Sequence, residues 1–220
     1  MVIKKIAIIH TSPATVQSLT SLIKEVIGEI KVVNLLDDSI LNDLINNNQI
    51  EFVEQRWLQY VNIAASMGVD AILSACSSVG NYAEKANAIL DIPVYRIDVA
   101  MAEKAVSMGQ SISVIATLPS TLEPTVKLVE SKAKELNKEC IIHTVLVKDA
   151  YDELMMGNRE VHDQKIQKAV QKYYHISDVL VLAQASMATA VEQLEGIDKK
   201  KVLTSPKLGV EKLKKDLLQL

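Results

Sequence analysis

One phrase occurs twice in this chain, and that repeat constrains the fold more than any other feature. Val69-Asp70-Ala71-Ile72-Leu73-Ser74-Ala75-Cys76-Ser77-Ser78 is an apolar run that stops at a thiol and two hydroxyls. Ser177-Asp178-Val179-Leu180-Val181-Leu182-Ala183-Gln184-Ala185-Ser186 has the same shape. Asp70 aligns with Asp178, Cys76 with Gln184 and Ser78 with Ser186, each pair 108 positions apart. The opening strand repeats as well. Ile6 to Pro13 matches Ile112 to Pro119, with Thr11 on Thr117 and Pro13 on Pro119, 106 positions apart. Two repeats in one order at nearly one offset indicate a duplicated half.

Between these phrases the pattern alternates. Lys4 to His10 reads as a buried strand, and Val16 to Ile27 as a helix with one apolar face, ended by Gly28. Glu29 to Leu36 is a strand, Asp37 to Asn48 a polar stretch with a short helical pattern, and Glu51 to Met67 a helix closed by Gly68. The Cys76 strand, its helix and a short strand at Ile92 to Asp98 complete the first half. The second half repeats the order, with a helix predicted over Pro124 to Leu136 and a strand over Cys140 to Val147. A last strand, Lys201 to Pro206, and a last helix, Leu208 to Leu220, exceed what the second repeat needs. The tail is expected to return and pack on the first half. Strands alternating with helices imply parallel sheets with right-handed crossovers. The expected fold is therefore α/β, with two pseudo-symmetric Rossmann-like lobes: residues 1–97 with 206–220, and residues 98–205.

Composition narrows the function. Hydrophobic residues make up 49% of the chain but aromatics only 4%, so a sizeable core must be aliphatic. A net charge of −3 gives no reason to expect nucleic acid as a partner. The longest apolar runs are too short to span a membrane. Cys76 and Cys140 have no metal-ligand spacing, and so few cysteines point to a reducing cytoplasm. No Gly-rich phosphate loop is present, which argues against a nucleotide.

In a parallel α/β sheet ligands collect at the carboxyl ends of the strands. The first lobe offers His10, Thr11, Ser12, Cys76, Ser77 and Ser78 there, and the second Thr117, Ser120, Thr121, Gln184 and Ser186. If a pseudo-twofold axis relates the lobes, both sets face one cleft lined by hydroxyls and helix amino ends, which suits a small carboxylate. Free N–H groups near Cys76 would favour its thiolate. Each reading has a plainer rival. A cysteine can be a small buried hydrophobe, a hydroxyl can cap a helix, and a strand-end histidine can be satisfied by a backbone carbonyl.

The chain resembles the aspartate/glutamate/hydantoin racemase superfamily over essentially its whole length. The resemblance rests on Ile6–Pro13, Ile72–Gly80, Ile97–Ala105, Val114–Thr121, Met156–Asp163 and Val179–Ala188. It implies a cofactor-free and metal-free isomerase of a small carboxylate, an amino acid or analogue, with one cysteine per lobe on opposite faces of the substrate's α-carbon. A homodimer or larger homo-oligomer is the expected assembly. Cys76 stands at the first cysteine position, but Gln184 stands at the second. An amide is neither a useful acid nor a base, and inversion needs proton transfer on both faces. His10 lies where related glutamate racemases carry an acidic residue and is expected to serve as an acid or base. Thr11, Ser12, Ser77, Ser78, Thr117, Ser120, Thr121, Gln184 and Ser186 are the expected substrate-binding residues. Two other functions fit a single thiol: a decarboxylase or double-bond isomerase or tautomerase of a small acid, and a carboxylate-binding protein that has lost catalysis.

Overall fold

A computed structural model of the chain describes residues 4–46 and 50–218. The expected limits at residue 1, Asn48 and Leu220 lie outside them. Strands β1 (Lys5–His10), β2 (Lys31–Leu36), β3 (Ala71–Ser74) and β4 (Val94–Arg96) form one sheet in the order β2-β1-β3-β4. Strands β5 (Ser111–Ala116), β6 (Ile141–Leu146), β7 (Val179–Leu182) and β8 (Val202–Thr204) form a second in the order β6-β5-β7-β8. Every pairing is parallel. The helices are α1 (Val16–Ile27), α2 (Ser39–Ile45), α3 (Ile50–Ser66), α4 (Gly80–Ile89), α5 (Val99–Met108), α6 (Pro119–Glu135), α7 (Ala150–Met155), α8 (Arg159–Tyr173), α9 (Ala188–Glu192) and α10 (Ser205–Leu217). The described residues fall into two compact units. One holds those up to Ile97 and from Pro206 onward; the other is Asp98–Ser205.

Strand β1 shows why the sheet is covered twice. Its apolar residues alternate between two cores, as a strand buried on both faces requires. Ile6 and Ile8 pack with Leu19 and Ile23 of α1 and with Val210, Leu213 and Leu217 of α10. Ala7 and Ile9 pack on the other face with Ile40 of α2, Val53, Trp57 and Val61 of α3, and Ala83 and Ala86 of α4. In the second unit Ile115, Leu180 and Leu182 meet Ala150 of α7, Ile166 and Val170 of α8, and Ala190 of α9. Helices α5 and α6 pack on each other, α6 against β5 and α5 against β7.

The strands' amino ends are tied by the repeated aspartate. Asp70 Oδ2 accepts from the Lys5 N–H at 2.6 Å, and the Asp70 N–H donates to the Lys5 carbonyl at 2.7 Å. Asp178 Oδ2 accepts from the N–H groups of Gln110 and Ser111, both at 2.9 Å. These backbone donors hold the Asp178 carboxyl below its ordinary range. Each aspartate thus fixes the start of a central strand against its neighbour.

Two expectations need correction. The last strand is not surplus: β8 pairs with β7 and completes the second sheet, the counterpart of β4 beside β3. Only helix α10 is left over, because the helix after each fourth strand covers the other unit's sheet. Helix α6 begins at Pro119 rather than Pro124. Pro119 is tolerated there because a first-turn N–H has no intrahelical partner. Pro124 then sits inside the helix, where it removes one backbone bond.

Helix α10 comes close enough to the first sheet's edge to forbid a side chain at Gly209. A Cβ there would lie 2.3 Å from the carbonyl oxygen of Ile97, a backbone atom that cannot step aside. Gly209→Ala is expected to cost about 1–3 kcal/mol through overpacking, partly offset by alanine's roughly 1 kcal/mol better helix propensity. A urea midpoint equal to or above that of the parent chain would contradict this docking.

Candidate active site

In the first unit, β1 and β3 are adjacent and end together, with the Ala75 N–H donating to the Ile9 carbonyl at 3.0 Å. This brings His10, Thr11 and Ser12 beside Cys76, Ser77 and Ser78. Cys76 is half-buried, in extended backbone (φ −127°, ψ 123°), and precedes a short 3₁₀ turn over Ser77–Val79 that runs into α4. Ser77 and Ser78 are buried in that turn. Strand residue Ser74 pairs in register with Arg96. The Arg96 guanidinium is buried and pairs with Glu84 at 2.6 Å, across the first turn of α4. It lies flat on Gly80, where a Cβ would come within 2.3 Å of the Arg96 Cζ. The ion pair of buried Arg96 with Glu84 therefore braces the turn between Cys76 and α4.

His10 is fully buried, and both ring nitrogens are engaged. Nδ1 lies 2.9 Å from Thr15 Oγ1 and Nε2 lies 3.0 Å from Asn34 Oδ1. The network sets the tautomer. Thr20 Oγ1 donates to the Val16 carbonyl at 2.7 Å and so accepts from Asn34 Nδ2 at 3.1 Å. That leaves Asn34 Oδ1 to accept from His10 Nε2–H, while the single Thr15 hydroxyl hydrogen is shared between His10 Nδ1 and the Ser12 carbonyl at 3.2 Å. Burial lowers the His10 pKa, opposed by the Asn34 hydrogen bond. In this arrangement a neutral imidazole braces the end of β1, with no ring nitrogen left over for a ligand. Ser12 Oγ accepts from the Ala14 N–H at 3.4 Å and caps the next short turn.

The second unit repeats the layout with different contacts. The Ala183 N–H donates to the Ile115 carbonyl at 2.9 Å, the counterpart of Ala75 and Ile9. Gln184 is half-buried at the position matching Cys76, again extended (φ −118°, ψ 137°) before a 3₁₀ turn. Its Oε1 accepts from the Thr117 N–H at 2.7 Å and from Thr117 Oγ1 at 2.9 Å. Ser120 Oγ is buried without a hydrogen-bond partner, and Thr121 is buried in the first turn of α6. The Ser186 carbonyl lies 3.4 Å from Arg159 Nη1, which also donates to Thr189 Oγ1 at 3.2 Å. Thr189 Oγ1 donates in turn to Asp163 Oδ2 at 2.9 Å, and Asp163 Oδ1 lies 2.7 Å from Nδ1 of the fully buried His162. This chain of contacts ties α8 to the turn that carries Gln184 and Ser186.

Sequence reasoning missed Asn34, Arg96 and Arg159. The first two had a signal: a polar or charged residue inside an otherwise apolar strand, Val33-Asn34-Leu35 and Val94-Tyr95-Arg96. Arg159, on the surface of α8, had none. Among the described residues no group of three or more His, Cys, Asp or Glu is placed to hold a metal, and no helix is long and apolar enough to cross a membrane.

The two parallel α/β units carry Cys76 and Gln184 where β3 and β7 end. Residues 5–213 match the family described as Asp/Glu/Hydantoin racemase, and the chain belongs to that family. Solved structures agree in fold. A glutamate racemase isoform from Bacillus anthracis superposes with a TM-score of 0.80 at 16% identity, covering 98% of this chain and 82% of that one. The aspartate racemase of Picrophilus torridus gives 0.71 at 15% identity, covering 96% and 94%. The allantoin racemase of Klebsiella pneumoniae gives 0.69 at 16% identity, covering 98% and 88%. No curated protein matches the chain by sequence.

The buried neutral His10 has a thermodynamic consequence. Below its ordinary pKa of 6.5 the unfolded chain binds a proton at His10 that the folded chain resists. Stability is therefore complete above that pH and erodes as the pH falls toward the lowered folded value, by at most about 1.4 kcal/mol per pH unit. Urea unfolding at pH 7.5 and 5.5 measures this. His10→Gln is expected to reduce the difference, and an unchanged difference would remove His10 as its source.

Proposed function

We propose that this chain acts on a small carboxylate, an amino acid or close analogue, by proton transfer at Cys76 without a cofactor. The observation that carries the reading is the contrast between two equivalent positions. Cys76 follows β3 with a half-buried thiol at the turn into α4, whereas Gln184 follows β7 with its oxygen committed to Thr117. Of this pair only Cys76 can accept or return a proton. The Cys76 thiolate takes the α-proton, the electron pair passes into the carboxylate as an enolate, and the resulting thiol returns a proton to the same carbon. The hydroxyls of Thr11, Ser77 and Ser78 serve the substrate carboxylate. With both nitrogens occupied, His10 acts as a positioning residue. Proton transfer from one thiol exchanges the α-proton of one enantiomer and keeps its configuration.

The test is proton NMR in heavy water with both enantiomers of aspartate, glutamate and allantoin, compounds named by the structural relatives. The expected result is loss of the α-proton signal of one enantiomer with little inversion, lowered by about 100-fold or more in Cys76→Ala. Gln184→Cys is expected to gain racemisation. Efficient inversion by the parent chain would mean that a second acid serves the other face and would overturn the one-thiol reading. Binding of a carboxylate with no exchange would favour the non-catalytic alternative. Product formation from an acid that has no α-proton to exchange would favour the decarboxylase alternative.

A further inference from the structure

The two hydrogen bonds to Gln184 hold more than a side chain. A backbone N–H can only donate, so the atom facing Thr117 is the amide oxygen. Two donors of one residue, N–H at 2.7 Å and Oγ1–H at 2.9 Å, converge on it. That is the donor set with which proteins hold one oxygen of a carboxylate. The first unit contains the same pair on Thr11, where β1 ends as β5 does. The β-strand frame is matched: Ala75 to Ile9 at 3.0 Å corresponds to Ala183 to Ile115 at 2.9 Å, and Asp37 to His10 at 3.1 Å corresponds to Val147 to Ala116 at 2.8 Å. There the residue equivalent to Gln184 is Cys76, whose thiol brings no carbonyl oxygen. Thr11 is buried where β1 ends.

We propose that the Thr117 N–H and hydroxyl form a carboxylate-oxygen site that Gln184 keeps closed, its carboxamide being a tethered substitute for the ligand. A tethered group competes at an effective concentration on the order of mM or higher, so free carboxylates at lower concentration do not displace it. The duplicated half-sites are thereby divided. The Thr11 pair is open to a ligand oxygen; the Thr117 pair is not, and Gln184 offers its N–H donors instead. Residue 184 sets how many oxyanions the protein takes. The inference stands apart from the reaction proposed above, since it concerns binding at Thr117 whatever Cys76 does.

Amide-resolved NMR on the full chain tests it, with sodium acetate as the probe. In the parent protein the Thr117 amide hydrogen is expected to exchange with solvent at least tenfold more slowly than that of Thr11. In Gln184→Ala it speeds up by tenfold or more, and acetate shifts the Thr117 resonance saturably in the mM range. The parent's Thr117 resonance stays still over the same titration. Adding Thr117→Val to that variant removes one donor and weakens acetate several-fold. Gln184→Glu, which keeps an oxygen in place, retains slow exchange at Thr117. If Gln184→Ala does not fold, Gln184→Ser takes its place in the titration. Three results would overturn the proposal: equally fast exchange at Thr117 and Thr11 in the parent, a folded Gln184→Ala that acetate leaves unmoved, or equal acetate affinity at Thr117 in parent and variant.

Discussion

A strand buried on both faces can show chemistry only at its ends, and that constraint organises the molecule. The side chains of β3 and β7 are consumed by packing, and their backbones by parallel neighbours. What remains is a polar residue before each strand and one after it. Before them stand Asp70 and Asp178, whose carboxylates hold the amide groups that open the adjoining strands. After them stand Cys76 and Gln184. The first pair must stay alike because the same backbone has to be satisfied in both units. The second pair differs: Cys76 carries a thiol, whereas the Gln184 carboxamide accepts from the Thr117 N–H. Divergence is thus channelled to the ends where ligands gather.

The exchange of a thiol for a carboxamide changes more than one ionisable group. A thiol at the end of β7 would leave the donors of Thr117 facing whatever approached. Glutamine is long enough to turn its oxygen back onto them, so the substitution supplies an acceptor for Thr117 and deletes a base at the same stroke. In the first unit the neighbouring features run the other way. Cys76 brings no amide oxygen, and the Arg96 guanidinium, paired with Glu84, lies against Gly80, a residue whose missing side chain makes room for it. The two units thus share a backbone plan while their strand ends differ in charge and in hydrogen-bonding capacity.

Much of the fold was legible because buried parallel strands and amphipathic helices leave strong periodic marks. The helix over Val16–Ile27 matches the apolar spacing of its sequence residue for residue. The repeat of Asp70 and Asp178 pointed to matching sheets. What failed was bookkeeping of partners. Strand β8 looked surplus because three residues, two of them apolar, carry no label of the strand they will join. Helix α6 was started late because a proline reads as a first-turn residue wherever it occurs, and Pro119 and Pro124 compete for that reading. At the site, the sequence identified Cys76, Gln184 and the hydroxyls as strand-end residues. It could not say that His10 would be enclosed by Thr15 and Asn34, or which end of the Gln184 amide would face Thr117. Those outcomes depend on rotamers chosen between elements far apart in the chain.

The placement of α10 also sets an order of assembly. Lys214 Nζ donates to the Val26 carbonyl at 2.6 Å, closing a contact across 188 positions. The hydrophobic face made by Ile6, Ile8, Leu19 and Ile23 has its cover from Val210, Leu213 and Leu217. On the ribosome the second unit has all its elements once Ser205 has emerged, whereas the first, begun earlier, must wait with one face of its sheet covered by α1 alone. The half made first is therefore the half finished last. While the nascent chain is being completed, the apolar face of β1 is the surface most in need of chaperones.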